Sequence, residues 1–387
     1  MNKPVYILDA LRTPVGAQYR SLKDHSAAKL ASVVMRELVR RNKLKPTDVE
    51  EVILGNTVSA GTGQNLARQA LIMAGIADTT PSYLVNNVCG AGLQSVVTSV
   101  QAILCGDRNL LIAGGTESAS QSPSLKFEYG QEIEQTESVI CDGLWCHLTN
   151  RHMGELCEHI VGEFHISRKD QDLYACESHG KAALAQEARK FNAEIVPVPA
   201  KEGKAFNRDE RVRKNLDLKA FQELPPSFKK DGTVTAGNSS APSDGAAAVL
   251  LASEEWAHAH KRTPKARILG YAKVAVKPSE VFAAGPAAIR ECLTKSGLNF
   301  NEVDLFEVGE AFAAQAIVTQ KKAGIPSGRM NIYGGDVAMG HPLGAAGARI
   351  LVTLIHALEQ EHKSKGVACI CFGGGGAIAV AVERIKS

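Results

Sequence analysis

Three short segments, far apart in the chain, each set a residue able to take up or release a proton beside glycines. They are Val88-Cys89-Gly90-Ala91-Gly92, Gly340-His341-Pro342-Leu343-Gly344 and Cys371-Phe372-Gly373-Gly374-Gly375-Gly376. Glycine lets backbone N–H groups approach a ligand closely. Two cysteines and a histidine in such settings imply a thiol nucleophile, a base and a second acid/base, which together could make or break carbon–carbon bonds through a thioester. A free cysteine titrates near about 8.5 and is mostly thiol at neutral pH, so the nucleophile needs help. Cys89 lies where a strand gives way to a helix, and a helix N-terminus favours negative sulfur. The bland alternative is a buried structural cysteine. His341 is held between Gly340 and Pro342, and an unperturbed histidine is suited to receiving the Cys89 proton. The Gly344-Ala345-Ala346-Gly347 run after it would let a helix start close to bound substrate. Cys371 ends an apolar run and faces four glycines. Cys105, Cys157, Cys176 and Cys292 sit inside helical patterns and read as core.

The elements that must position these residues alternate in type. Strand patterns occupy Val5–Asp9, Val49–Leu54, Ser82–Val88 and Asn109–Ala113. Helical spacing occupies Ala27–Arg41, Asn65–Ala74 and Leu93–Cys105. Such alternation predicts an α/β architecture with a mostly parallel sheet covered on both faces. The texture changes over 118–240, with acidic residues (Glu128, Glu132, Glu134, Glu137), helices near His152–Phe164 and Asp170–Asn192, and a basic stretch at Lys201–Lys219. This reads as an insertion over one end of the sheet. The second half repeats the first in outline: strand at Lys265–Tyr271, helix at Ala287–Ser296, strand at Val303–Val308, helices at Glu310–Ala323 and Ala345–Leu358, strands at Val367–Phe372 and Ala377–Val382. The division is therefore 1–117 with 241–264, an insertion at 118–240, and 265–387.

The 387 residues, 44% apolar and 22% charged, allow a large core, and a formal charge of +3 gives no reason to expect nucleic acid as partner. Nine cysteines without framework spacing fit a reducing compartment. Cys141, Cys146, His147 and His152 match no common zinc spacing. Met1-Asn2-Lys3-Pro4 enters a strand at once, and no apolar stretch is long enough to span a bilayer, so a cytoplasmic location is expected. The glycine tract is no P-loop, lacking Gly-Lys-Ser/Thr, and no Gly-x-Gly-x-x-Gly follows the first strand.

Several co-ordered motifs make the chain resemble the thiolase family along essentially its whole length. Asp9-Ala10-Leu11-Arg12-Thr13-Pro14-Val15-Gly16, Gly114-Gly115-Thr116-Glu117-Ser118 and Thr233 to Ser240 are similar to family segments. The Cys89, Gly309-Glu310-Ala311-Phe312, Gly340-His341-Pro342 and Cys371 segments match its four catalytic loops in order. The resemblance implies two similar βαβαβαββ halves in a five-layered α-β-α-β-α core with an inserted loop domain. It also implies an acetyl-CoA C-acyltransferase that makes or thiolyses 3-ketoacyl-CoA through an S-acyl-Cys89 intermediate. His341 would take the Cys89 proton, Cys371 would remove an α-proton, and the N–H groups of Cys89 and Gly373 would form an oxyanion hole. His152 and Ser240 would contact the pantetheine, Arg213 the adenine nucleotide, and Phe312 the substrate. No metal or cofactor is implied, with CoA serving as substrate, and a homodimer or homotetramer is expected. Gly309 departs from the family's usual Asn, which would hold a water beside His341; if only that water site is unfilled, Gly309→Asn should keep or raise turnover. Ala91, Ala346 and Ala377 also depart, as does Phe282, which replaces a frequent methionine near the acyl group. Two alternatives stand beside this reading. One is a decarboxylating ketosynthase, against which Cys371 argues; the other is a non-catalytic acyl-CoA-binding subunit, which only Gly309 supports.

Overall fold

Strands that are apolar on both faces need helices on both faces, and the layering follows from that requirement. The computed structural model describes residues 3–129, 132–199, 205–214 and 216–386. Met1, Asn2 and part of the basic Lys201–Lys219 stretch lie outside them. The first half supplies β1 (Val5–Arg12), β2 (Gly16–Ala17), α1 (Ala27–Arg41), β3 (Glu51–Gly55), α2 (Leu66–Ala74), β4 (Ser82–Val85), α3 (Ala91–Leu104) and β5 (Leu110–Ser118). The middle stretch holds β6 (Ser124–Tyr129), β7 (Glu132–Glu137), β8 (Trp145–Cys146), β9 (Arg151–His152), α4 (Met153–Glu163), α5 (Arg168–Glu187), β10 (Val198–Pro199), β11 (Ala205–Phe206) and α6 (Leu218–Gln222). Then come β12 (Ser243–Ser253), α7 (Glu254–Ala259), β13 (Ala266–Ala275), α8 (Gly285–Ser296), β14 (Leu305–Val308), α9 (Ala313–Ala323), α10 (Asp336–Met339), α11 (Leu343–Gln360), β15 (Lys365–Phe372) and β16 (Gly376–Arg384).

Ten strands form one sheet in the order β14-β15-β16-β13-β1-β12-β5-β3-β4, with β2 alongside β12. The halves meet where Val5, Tyr6 and Ile7 of β1 pair with Ile268, Arg267 and Ala266 of β13. Among the described strands of this sheet, only β3 with β4, β3 with β5 and β14 with β15 run parallel. The expected mostly parallel sheet is thus corrected to a mixed one, for topological reasons. After β5 the chain leaves through the long middle stretch and returns as β12, antiparallel to β5. β15 and β16 are joined by a tight turn with Gly374 and Gly375 at φ +90° and +96°, which makes a hairpin and therefore an antiparallel pair.

Alternation along the strands sorts side chains into two covers. In β12, Ala247, Val249 and Leu251 face the central layer of α3 and α11, whereas Ala246, Ala248 and Leu250 face α1 and α2. In β16, Ile378, Val380 and Val382 face that same central layer, and Ala377, Ala379 and Ala381 face α8 and α9. The order α1/α2, half-sheet, α3/α11, half-sheet, α8/α9 is the five-layered arrangement.

Close approach in the middle explains the small residues. An added Cβ at Gly92 would lie 2.8 Å from Gly344 O and 2.9 Å from Ala348 N, and one at Gly347 would lie 2.8 Å from Leu93 Cβ. Gly347 thus serves the α3–α11 crossing, whereas a Cβ at Gly344 would meet Asn56 Cα at 2.7 Å and Thr116 O at 2.8 Å; α11 does start beside the Cys89 cavity, where Leu343 lines it. Ala91, Ala346 and Ala377 are fully buried, Ala346 in this central layer and Ala377 on the outer face of β16. Other expectations shift as well. The strand at Ser82–Val88 stops at Val85, the helix at Glu310 begins at Ala313, and Cys105, past the end of α3, is exposed. Among the described residues no helix is long and apolar enough to cross a membrane, and no group of His, Cys, Asp and Glu is placed to hold a metal.

Candidate active site

Cys89 sits in the corner between β4 and α3. Val88 before it adopts φ +48°, a costly conformation for a β-branched residue. Its surroundings hold it there: Val88 N–H donates to Asn86 Oδ1 at 3.0 Å, and its carbonyl accepts from Thr57 Oγ1 at 3.1 Å. The corner leaves Cys89 half-buried at the start of a central helix.

His341 enters from a second corner, between α10 and α11. Gly340 before it has φ +104°, and a Cβ there would run into Ser243 Oγ, so only glycine fits. The His341 N–H donates to Ala241 O at 2.9 Å and Ser243 Oγ at 3.2 Å, which fixes the ring's origin. Glu117, fully buried on β5, accepts from the N–H groups of Gly344 (2.9 Å) and Thr57 (3.1 Å). One carboxylate thereby ties the start of α11 to the loop that supports Val88. The ring is buried with Nδ1 3.3 Å from Asp336 Oδ2, an ion-pair distance whose alignment falls short of a hydrogen bond. Burial alone would discharge the imidazole, but the facing Cys89 and then Asp336 outweigh it and raise its pKa to about 10.

Cys371 reaches the same space from the end of β15. It is buried among apolar side chains, and that burial, reinforced by Cys89 and Cys369, pushes its thiol pKa well up. The two cysteine loops interlock: a Cβ at Gly90 would lie 2.8 Å from Phe372 Cδ1, and one at Gly373 would lie 3.3 Å from Val88 Cγ1. Cys89, His341, Cys371 and Gly373 line one cavity of about 260 Å³.

Other expected residues divide. His152, Ser240, Phe282 and Phe312 line this cavity. His152 caps α4 and accepts from Gly154 N–H through Nδ1 at 3.0 Å. Burial lowers its pKa against the pull of Glu155, so the neutral ring carries its proton on Nε2, free to donate. Ser240 Oγ donates to Ala311 O at 2.8 Å. Phe312 is extended, not helical, and meets Phe282 edge-on at 5.1 Å. Arg213 stands apart: it is exposed and lines a separate cavity with Arg20 and Arg211. Gly309 is outside the Cys89 cavity too. Its N–H donates to Cys369 O at 2.8 Å, and an added Cβ would lie 2.7 Å from Ile370 Cγ1. Ile370 occupies the place a side chain at 309 would take, so another group fills the gap left by the missing Asn.

Comparison with known proteins now decides the family. The thiolase N-terminal domain family matches residues 5–255 and the thiolase C-terminal domain family residues 262–384. An acetyl-CoA acetyltransferase of Chromobacterium violaceum is 44% identical, over 98% of this chain and 99% of its own. The crystal structure of the Bacillus anthracis acetyl-CoA acetyltransferase superposes with TM-score 0.96 at 35% identity, covering 99% of both chains. Human mitochondrial 3-ketoacyl-CoA thiolase in complex with CoA superposes with TM-score 0.96 at 36% identity, over 99% of this chain and 98% of that one. The chain belongs to the thiolase family. It is a CoA-dependent acyltransferase, and neither a ketosynthase nor a non-catalytic subunit is favoured.

Within this thiolase the sequence reading missed Asp336, which touches His341, and the apolar lining from Leu144, Met153, Phe228 and Val281. Asp336 is a lone carboxylate in the glycine-rich and apolar run leading to His341, a signal that was present. Phe228 carried no local signal; it reaches the cavity by stacking on His152 at 4.9 Å.

Proposed function

We propose that this thiolase makes or thiolyses 3-ketoacyl-CoA with a short acyl group, through an S-acyl intermediate on Cys89. The observation that carries this reading is the convergence of Cys89, His341, Cys371 and Gly373 on one cavity. His341 receives the Cys89 proton, and the thiolate attacks the thioester carbonyl. The N–H groups of Cys89 and Gly373 receive the developing oxyanion. A Cys371 thiol kept neutral by burial cannot begin as a base. It first gives its proton to the departing CoA thiolate, and the resulting thiolate then removes the α-proton of a second acyl-CoA. The new carbanion attacks the acyl group and releases Cys89, with the His341 imidazolium stabilising the enolate oxygen. Thiolysis runs these steps backwards.

His152 Nε2–H and the Ser240 segment would meet the pantetheine amides, and Arg213 would stand near the nucleotide end of CoA. The edge-on Phe282–Phe312 pair lines the cavity, and an acyl group lodged against it would be a short one. CoA is substrate and product, and the scheme calls for no cofactor. The nine cysteines are all free thiols, in keeping with a cytoplasmic location. The edge strand β4, with Tyr83 exposed, and the exposed Ile72 and Met73 of α2 support a homodimer formed along that edge. The test is thiolysis of acetoacetyl-, 3-ketohexanoyl- and 3-ketodecanoyl-CoA. Rates should fall along that series, and undiminished thiolysis of the longest ester would contradict the short-chain reading.

A further inference from the structure

Of the groups around His341, Asp336 is the one that neither the resemblance nor the proposed steps employ. Its side chain is fully buried, and each carboxylate oxygen is engaged. Oδ1 accepts from Arg349 Nη2 at 2.8 Å. Oδ2 accepts from the Glu310 N–H at 3.0 Å and lies 3.3 Å from His341 Nδ1. Arg349, itself buried on α11, reaches Glu307 with Nη1 at 3.3 Å. Glu310, next to Gly309, is pinned by Tyr174 (2.9 Å), Ser178 (3.0 Å) and Asn331 (2.7 Å). Asp336 is thus held by rigid elements on three sides and presents its remaining charge to one ring nitrogen.

We propose that Asp336 is a positioning residue that completes a Cys89–His341–Asp336 relay, fixing the His341 ring so that Nδ1 carries its proton toward Asp336 and Nε2 serves Cys89 and the thioester oxygen. The inference rests on the thiolase reading of the site and adds a member to it. The geometry selects this arrangement because a carboxylate accepts only, so it orients the ring through an Nδ1–H donor. Gly309 offers no side chain to the ring, and Ile370 fills the space beside it, so orientation from that direction is absent. The 3.3 Å separation is of the kind that tightens when substrate binds. The raised His341 titration agrees with a carboxylate at this distance. Charged and titratable groups facing the ring are Cys89 from the β4–α3 corner, Asp336 from α10, Cys371 from β15 and His152 across the cavity. Arg349, Glu307 and Glu310 act behind Asp336, and the Arg211 stem lies beneath Gly340.

The test is Asp336→Asn, which keeps an acceptor for Arg349 but removes the charge. The readouts are the pH profile of Cys89 alkylation by iodoacetamide and the rate of Cys89 acetylation by acetyl-CoA, followed by mass spectrometry. Acetylation should slow roughly 10–100-fold, as for other groups that orient a histidine, and the alkylation profile should move with it. Adding Asp336→Asn to His341→Asn should change neither further. An unmoved profile, or an equal loss in the His341→Asn background, overturns the proposal. If Asp336→Asn does not fold, NMR of the His341 ring protons in the unaltered protein decides: an Nδ1 proton shifted strongly downfield by a hydrogen bond to Asp336 supports the relay, and an Nδ1 proton at the ordinary imidazolium position overturns it. Failure of the unaltered protein to acetylate at all would instead sink the thiolase reading.

Discussion

The two halves of the molecule each bring one cysteine to the same cavity, yet into opposite surroundings. Cys89 stands half-exposed at a strained corner, at the head of a central helix, facing His341. Cys371 stands at a strand end among apolar side chains, without a base of its own, and burial holds it as a thiol. In the proposed scheme one residue type thereby acquires two roles, nucleophile and proton carrier, through environment alone, as paired carboxylates do in other enzymes. The difference follows from the elements. A strand-to-helix corner exposes its residue, whereas a hairpin strand buries it on the outer face of its half-sheet.

Removing one member at a time breaks the comparison. Cys89→Ser should lower thiolysis by roughly 10⁴-fold or more, as loss of a nucleophile does elsewhere; turnover assays with acetoacetyl-CoA check it. Cys371→Ala should cost about 10²–10⁴-fold in condensation while single-turnover acylation of Cys89 survives. Equal losses of both half-reactions in Cys371→Ala would erase the division of labour. The pH dependence sharpens the contrast. The His341 pKa is raised to about 10, so its charged form is present at neutral pH and is lost as pH rises through that value. A kcat profile for thiolysis should stay level through mildly alkaline pH and fall about tenfold per unit above it. A fall centred near the ordinary histidine value would contradict the Cys89 and Asp336 influence on the ring.

The smallest expected effect concerns Gly309. Gly309→Asn must displace Ile370, so it should destabilise the fold by about 1–3 kcal/mol and not raise turnover, the outcome expected only if a water site were left unfilled. Denaturant titration checks this. In combination with Ile370→Ala, the two losses should sum to less than their separate values.

What the sequence revealed follows physical range. Cys89, His341 and Cys371 were legible because each couples a reactive side chain to local glycines, and the alternation of strand and helix was legible because their periods are local, whereas the five layers came from the resemblance. The mixed sheet was not, since the direction of β12 depends on where the chain returns after 118–240, which no local pattern states. The Gly344–Gly347 run was only partly legible, because close helix crossing at Gly347 and a helix start beside the cavity demand the same small residues. Gly309 looked like a vacancy because the Ile370 side chain that fills it belongs to another strand. Asp336 could have been weighed from sequence, but its contact with His341 depends on the one-turn helix α10.

The central claim, that Cys89 carries the acyl group while Cys371 only moves protons, is tested most directly by peptide mass spectrometry after incubation with acetyl-CoA. One acetyl group should appear on Cys89 in the unaltered protein and in Cys371→Ala, and none in Cys89→Ser. An acetyl group on Cys371, or none on Cys89, would contradict the assignment.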